Sequence, residues 1–143
     1  MKTSARNQFF GKVSRVVAGA VNDEVELTIP GVAQPIAAII THESAVALGL
    51  TVGVDAFALV KASSVIVVTD DQGARFSARN RLQGTVSAVN KGAVNSEVVV
   101  TLAGGAQVVA IITNESCAAL ALVPGVAASM LIKASSVIVG VAA

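Results

Sequence analysis

The chain has 143 residues, 54% of them hydrophobic and only 13% charged, with a formal net charge of +1, which leaves no basic field for nucleic acid. Its mean hydropathy is high at +0.76, yet Asp55, Lys61 and Lys133 interrupt the longest apolar stretches, and no run of about 18 apolar residues exists to cross a bilayer. The single Cys117 cannot form an internal disulfide and Met1 to Phe10 lacks the apolar core of a signal peptide, so a cytoplasmic protein without membrane attachment is expected.

The chain opens with Ser4-Ala5-Arg6-Asn7, after which Phe10, Val13, Val16 and Val17 predict a first strand between Gln8 and Val17, bent at Gly11. Gly19-Ala20-Val21-Asn22 makes a turn. Val25, Leu27 and Ile29 then alternate with Glu24, Glu26 and Thr28, as in a half-buried second strand. Ile36 to Ile40 reads as a fully buried third strand. From Thr41 the pattern changes to a short helix of about two turns, capped by Thr41 and stopped at Gly49. Val52 to Val60 and Ser64 to Val68 are β-rich runs that complete the module, with Lys61-Ala62-Ser63 between them.

The same text then starts again. Ser77-Ala78-Arg79-Asn80 repeats the opening, Gly84 repeats Gly11, and Gly92-Ala93-Val94-Asn95 repeats the first turn. Val98, Val100 and Leu102 repeat the second strand. Thr113 caps a helix expected to run through Ala118 to Leu122, and Lys133-Ala134-Ser135 repeats the closing motif. The copies differ in length by one residue, lost where Gly31, Val32 and Pro35 are replaced by Gly104 and Gly105. The expected organisation is therefore a first module over 1–69, a linker over 70–76 and a second module over 77–143. Each module approaches the lower size limit for an independent core, and the apolar content exceeds what two small cores can hide, so an oligomer is expected.

Five strands with a short helix between the third and fourth give an all-β module of the OB-like Greek-key barrel type, here twice in tandem. The order Ser-Ala-Arg-Asn, Thr-x-x-Ser helix cap, Lys-Ala-Ser resembles the Mop, or TOBE, domain, and the duplication resembles the di-domain molbindins of bacteria. The resemblance implies a protein that binds molybdate or tungstate for intracellular storage, buffering and homeostasis, with no catalytic cofactor and no enzymatic activity. It also implies a homotrimer of six modules with shared sites, in which Ser4, Arg6 and Asn7 face Thr41, Ser44, Lys61 and Ser63 of a neighbouring module, or their copies.

The residues suit that chemistry. Arg6 with Lys61, and Arg79 with Lys133, supply two positive charges per module, enough to neutralise one dianion; arginine offers a planar fork and lysine a movable point charge. Ser4, Thr41, Ser44 and Ser63, with Ser77, Thr113, Ser116 and Ser135, add neutral donors. The resemblance also brings the other members of the repeated motifs, Ala5, Asn7 and Ala62 with Ala78, Asn80 and Ala134, into the candidate set. The first turns of the helices favour an anion, although Glu43 and Glu115 must then point away. The alternative is that the basic residues are surface charges and the Thr and Ser ordinary caps.

Gly19, Ala20, Val21 and Asn22, with Gly92, Ala93, Val94 and Asn95, are either strand connections that need glycine or, as the resemblance implies, contributors to further oxyanion sites near the oligomer axis. His42 becomes Asn114 and Cys117 corresponds to Ala45, so a metal site or nucleophile built on them is not expected. Two rival functions stand beside the first: an OB-type nucleic-acid module, opposed by the absence of Trp and Tyr, and a molybdate-sensing regulatory module acting through a protein partner.

Overall fold

The computed structural model describes all residues, 1–143. In the first half β1 (Asn7–Val17), β2 (Asn22–Thr28), β3 (Ile36–Thr41), helix α1 (His42–Ala47), β4 (Asp55–Val60) and β5 (Ile66–Val68) follow in order, with a 3₁₀ turn at Ala62–Ser64. The second half repeats them as β6 (Asn80–Lys91), β7 (Asn95–Leu102), β8 (Gln107–Thr113), α2 (Asn114–Ala119), β9 (Ala127–Ile132), a 3₁₀ turn at Ala134–Ser136 and β10 (Ile138–Gly140). The result is two curled, five-stranded antiparallel sheets with one short helix each.

Strand order departs from the sequence expectation at one point. The sheets run β10-β4-β1-β2-β3 and β5-β9-β6-β7-β8, so each half closes with the last strand of the other. β5 does not complete the first module; it pairs with β9 in the register Ile66 to Leu131 and Val67 to Met130, while β10 pairs with β4. Both closing strands descend from the same Lys-Ala-Ser-Ser-Val-Ile-Val text, so either one fits either sheet. The 3₁₀ turn that precedes each of them packs on the third strand of the opposite half.

Exchange merges what the size of the modules had suggested would be two small cores. One cluster of 29 buried residues runs through both halves, and its members Val25, Leu27, Ile36, Val98, Val100 and Val108 are almost completely buried. Each such side chain contributes about 1.5–3 kcal/mol relative to exposure. β2 alternates as expected, with Asp23, Val25 and Leu27 inward. β3 is buried at Ile36, Ala37 and Ala38; Ile39, opposite Glu24, faces the outer side of the sheet and is exposed, while Ile40 packs against the core.

Both helices are capped as expected. The Thr41 hydroxyl accepts from the Ser44 N–H at 3.1 Å, and Thr113 does the same for Ser116. α1 stops with Gly49 at φ +64°; α2 ends at Ala119, short of the expected Leu122, and Ala121 takes the left-handed position at φ +50° without the freedom of glycine.

Among the aromatic residues, Phe9 is buried and Phe10 lies 5.6 Å from Phe57, centroid to centroid. Phe76 carries the Arg81 guanidinium 5.7 Å above its ring. Arg81 also pairs with Asp71, which ties residues 70–76 to the second half. No helix is long and apolar enough to cross a membrane.

Candidate oxyanion site

A hollow of about 390 Å³ opens where the beginning and end of the second half meet. Its polar lining is Ser77, Arg79, Lys133 and Ser135, and its walls include Ile39 of β3, Ile66 of β5 and Leu131 of β9. The opening and closing motifs, more than 50 residues apart in the chain, thus come together for two reasons. β6 and β9 are neighbours in the sheet, with Asn80 opposite Ile132, and this sets Arg79 beside Lys133. Ala134 then anchors the 3₁₀ turn by burying its methyl group, so that Lys133 and Ser135 on either side remain exposed. In the first half the same pairing, Asn7 opposite Val60, sets Ser4, Ala5 and Arg6 towards Lys61, Ala62 and Ser63.

The asparagines of both motifs have a different task from the one expected of them. Asn7 donates to the Val60 carbonyl at 3.3 Å and to the Val109 carbonyl at 2.8 Å, and accepts from the Val109 N–H at 2.7 Å. Asn80 binds Ala37 and Ile132 in the same way. Both amides are buried and their donors are used within the protein, so neither side chain is available to an anion. They clamp the third strand of the opposite half.

The helix caps also stand apart from the hollow. Thr41, Ser44, Thr113 and Ser116 are not among its lining residues; the caps lie at the far ends of β3 and β8, at Thr41 and Thr113. Each threonine hydroxyl bonds the serine three positions on, at 2.7 Å in the first half and 2.9 Å in the second. These exposed caps instead adjoin the glycine turns: His42 N–H donates to the Val21 carbonyl and Asn114 N–H to the Val94 carbonyl, both at 2.8 Å.

A Cβ on Gly19 would lie 2.2 Å from the Asn22 carbonyl oxygen, and on Gly92 2.8 Å from that of Asn95, so tight closure of the turn accounts for both glycines. The turn presents Val21 and Val94 to solvent, with relative exposures of 73% and 70%. In the first half, buried Asp23 accepts from the Gly19 N–H and contacts His42 Nδ1 at 3.0 Å. The Gly19 N–H and then His42 hold its carboxyl below the ordinary aspartate value. The second half replaces the pair with a neutral bond, Ser96 Oγ to Asn114 Oδ1 at 2.6 Å. His42 is thus part of the turn's support.

Two residues absent from the sequence-based set bear directly on the arginines. Glu97 binds Arg6 and Glu24 binds Arg79, each across the seam between halves. Their signal in the sequence is the glutamate kept two places after Asn22 and after Asn95. The Arg79 guanidinium, by hydrogen bond first and charge second, keeps the Glu24 carboxyl below its usual range. Lys61 and Lys133 take part in no ion pair with a carboxylate.

The larger hollow of about 1250 Å³ lies elsewhere, against Phe10, Ile29, Phe57 and Val141, and contains none of the repeated basic residues. No group of three or more His, Cys, Asp or Glu side chains is arranged to hold a cation.

Twin curled sheets with exchanged closing strands, carrying arginine, lysine and hydroxyl groups where the ends of a repeat meet, define a tandem mostly-β protein with a cationic, hydroxyl-lined hollow. The TOBE domain matches residues 3–67 and 77–139, and the chain belongs to that family. It is 49% identical over 141 residues to the molybdenum transport protein ModE of Herbaspirillum seropedicae, covering 99% of this chain and 52% of that protein. To the molybdenum-pterin-binding protein MopA of Rhodobacter capsulatus it is 46% identical over 138 residues, covering 96% and 52%. The chain therefore spans about half the length of these curated relatives. A more distant relative, the DNA-binding transcriptional dual regulator ModE of Escherichia coli (strain K12), is 32% identical over 73% of this chain and 40% of its own length. Among solved structures, the molybdate-bound form of the cytoplasmic molybdate-binding protein ModG matches with a TM-score of 0.95 and 48% identity, over 99% of this chain and 100% of that one.

Proposed function

We propose that this chain binds molybdate or tungstate as an intact tetrahedral dianion in the cytoplasm and holds it for storage and buffering, with no chemical conversion. The observation that carries this reading is the gathering of Ser77, Arg79, Lys133 and Ser135 around one hollow. Two cations match a dianion in charge, and hydroxyl and guanidinium donors match a ligand whose oxygens are all acceptors. A protonated phosphate would need an acceptor as well. Sulfate fits the same donors, and full-length similarity to molybdate-bound ModG favours the larger oxyanion.

The functional units in this reading are repeats 1–69 and 77–143 joined by 70–76, and the ligand-holding residues are Ser4, Arg6, Lys61 and Ser63 with their counterparts. The helix caps and glycine turns would serve sites completed by another copy of the chain, in a trimer. Repeated exposed apolar residues support that assembly: Val21 with Val94, and Ile66 with Ile138 at 57% and 61% exposure. A second reading, a molybdate-sensing module that acts through a partner, is favoured by the relatives' greater length and by the DNA-binding regulator among them.

Dialysis of the purified protein against equal molybdate, tungstate, sulfate and phosphate, with chelator present, followed by elemental analysis, tests the proposal. Retained molybdenum or tungsten is expected. Retention of sulfate alone, or of nothing, would overturn it.

A further inference from the structure

Arg6 and Arg79 are the arginines kept in both copies, and each is engaged by a glutamate of the opposite half. The glutamates are themselves equivalent in the repeat, since Glu24 and Glu97 hold the same place relative to Asn22 and Asn95. Their side chains are only 22% and 23% exposed, against 46% and 49% for the arginines. The carboxylates are therefore the more sheltered partners and the guanidinium groups the more exposed ones. Glu24 stands on β2 opposite Ile39, which forms part of the hollow's wall. It thus holds Arg79 at the rim from the first half while Lys133 is unpaired.

This arrangement alters the local charge. Arg79 and Lys133 together carry two positive charges, but Glu24 cancels one of them. An entering dianion has either to take the guanidinium from the carboxylate or to bind beside a like charge, and both alternatives cost affinity. We propose that Glu24 and Glu97 are built-in counter-ions that compete with the oxyanion for Arg79 and Arg6, weakening binding so that the ligand is released readily. The inference rests on the oxyanion reading above. The carboxyl of Glu24 is held below its ordinary range chiefly by Arg79, with Arg15 adding to the effect, so the competitor is ionised throughout the neutral range. A protein that returns its ligand gains from such an arrangement, because the acid offsets part of the charge attraction and occupies an arginine donor whenever the anion is absent.

The test is the double variant Glu24→Gln with Glu97→Gln, studied by calorimetry and stopped-flow release with molybdate and with perrhenate, a tetrahedral oxyanion of single charge. Glutamine is close to glutamate in shape and removes only the charge. Molybdate should bind about twofold to fivefold more tightly and leave more slowly by a similar factor. The gain for perrhenate should be smaller, because repulsion by the carboxylate scales with the ligand's charge. Unchanged or weaker molybdate binding in the folded variant, or equal gains for both anions, overturns the proposal. A measurement on the unaltered chain is independent of how the variant folds: the carboxyl carbon resonances of Glu24 and Glu97 should move towards those of free carboxylates on adding molybdate. Stationary resonances at saturation overturn it too. If the unaltered chain binds no molybdate, the oxyanion reading fails and takes this one with it; if it binds molybdate but the variant shows no gain, the counter-ion role alone is lost.

Discussion

Asn7 in the first half and Val109 in the second are joined as two paired strand residues are, with one bond given and one received, at 2.8 and 2.7 Å. A side-chain amide here does the work of a backbone and extends β8 towards the start of β1. Replacing Asn7 with Ala would leave the Val109 N–H and C=O without the partners they have here, and would remove one of the bonds to the Val60 carbonyl. We expect a loss of about 2–4 kcal/mol in unfolding free energy, since each buried unsatisfied group costs on the order of 1–3 kcal/mol. Urea denaturation with matched m-values measures it. A loss below about 1 kcal/mol would show that water replaces the clamp and that the halves are held by strand exchange alone.

The Asp23–His42 pair provides a pH test, because the second half accomplishes the same support with Ser96 and Asn114. Folding lowers the Asp23 pKa, so its contribution is complete above the ordinary value of 3.8 and is lost as pH falls through the lower folded value. Grafting the neutral pair, Asp23→Ser with His42→Asn, should preserve the fold at pH 7 and reduce the loss of stability on acidification below about pH 4. Thermal melts from pH 7 to pH 2.5 would decide. Identical acid limbs in the two proteins would remove Asp23 as a contributor.

Self-association is the third expectation. Val21, Val94, Ile66 and Ile138 are exposed at equivalent places in both copies, and apolar groups repeated in this way are suited to contacts with further copies. Sedimentation equilibrium at micromolar concentration should give a multiple of 14.3 kDa, three being the expected one. Val21→Glu with Val94→Glu should shift the population towards the monomer, with secondary structure unchanged by circular dichroism. A monomer of the unaltered chain, with and without molybdate, would remove the oligomer.

Much of this was legible in the sequence because the chain states its pattern twice. Alternation at Val25 and Leu27 marked the strand that buries them, and threonine three places before serine marked each helix cap. The exchange of β5 and β10 was not legible: the two copies of Lys-Ala-Ser-Ser-Val-Ile-Val are identical, and nothing local distinguishes pairing with β4 from pairing with β9. Asn7 and Asn80 adjoin Arg6 and Arg79 in the repeated motif, and adjacency alone sets them with the ligand residues. Repetition marks necessity without separating structural need from chemical need, and only their burial reveals the former. The converse holds for Glu24 and Glu97, which alternation places on the outer face of a strand, where acids are common; their arginine partners lie in the other copy, beyond the reach of any local spacing.

The last expectation separates the shape of the arginines from their charge. Arg6→Lys with Arg79→Lys keeps every formal charge, including the attraction to Glu97 and Glu24, but removes the planar fork that can present two N–H groups to one anion. A charge-assisted hydrogen bond contributes about 1.5–3 kcal/mol, so losing one should lower molybdate affinity about tenfold to a hundredfold. The fold should survive, because Asn7 and Asn80, which hold the two halves of the chain together, are untouched. With no Trp or Tyr in the chain, intrinsic fluorescence is a weak readout, and calorimetry or molybdenum analysis after dialysis is the appropriate measurement. The salt dependence should be similar in the two proteins, since it follows charge rather than geometry. Unchanged affinity in a folded, assembled double variant would show that the repeated arginines act as charge alone, or serve only to bind Glu24 and Glu97 across the seam.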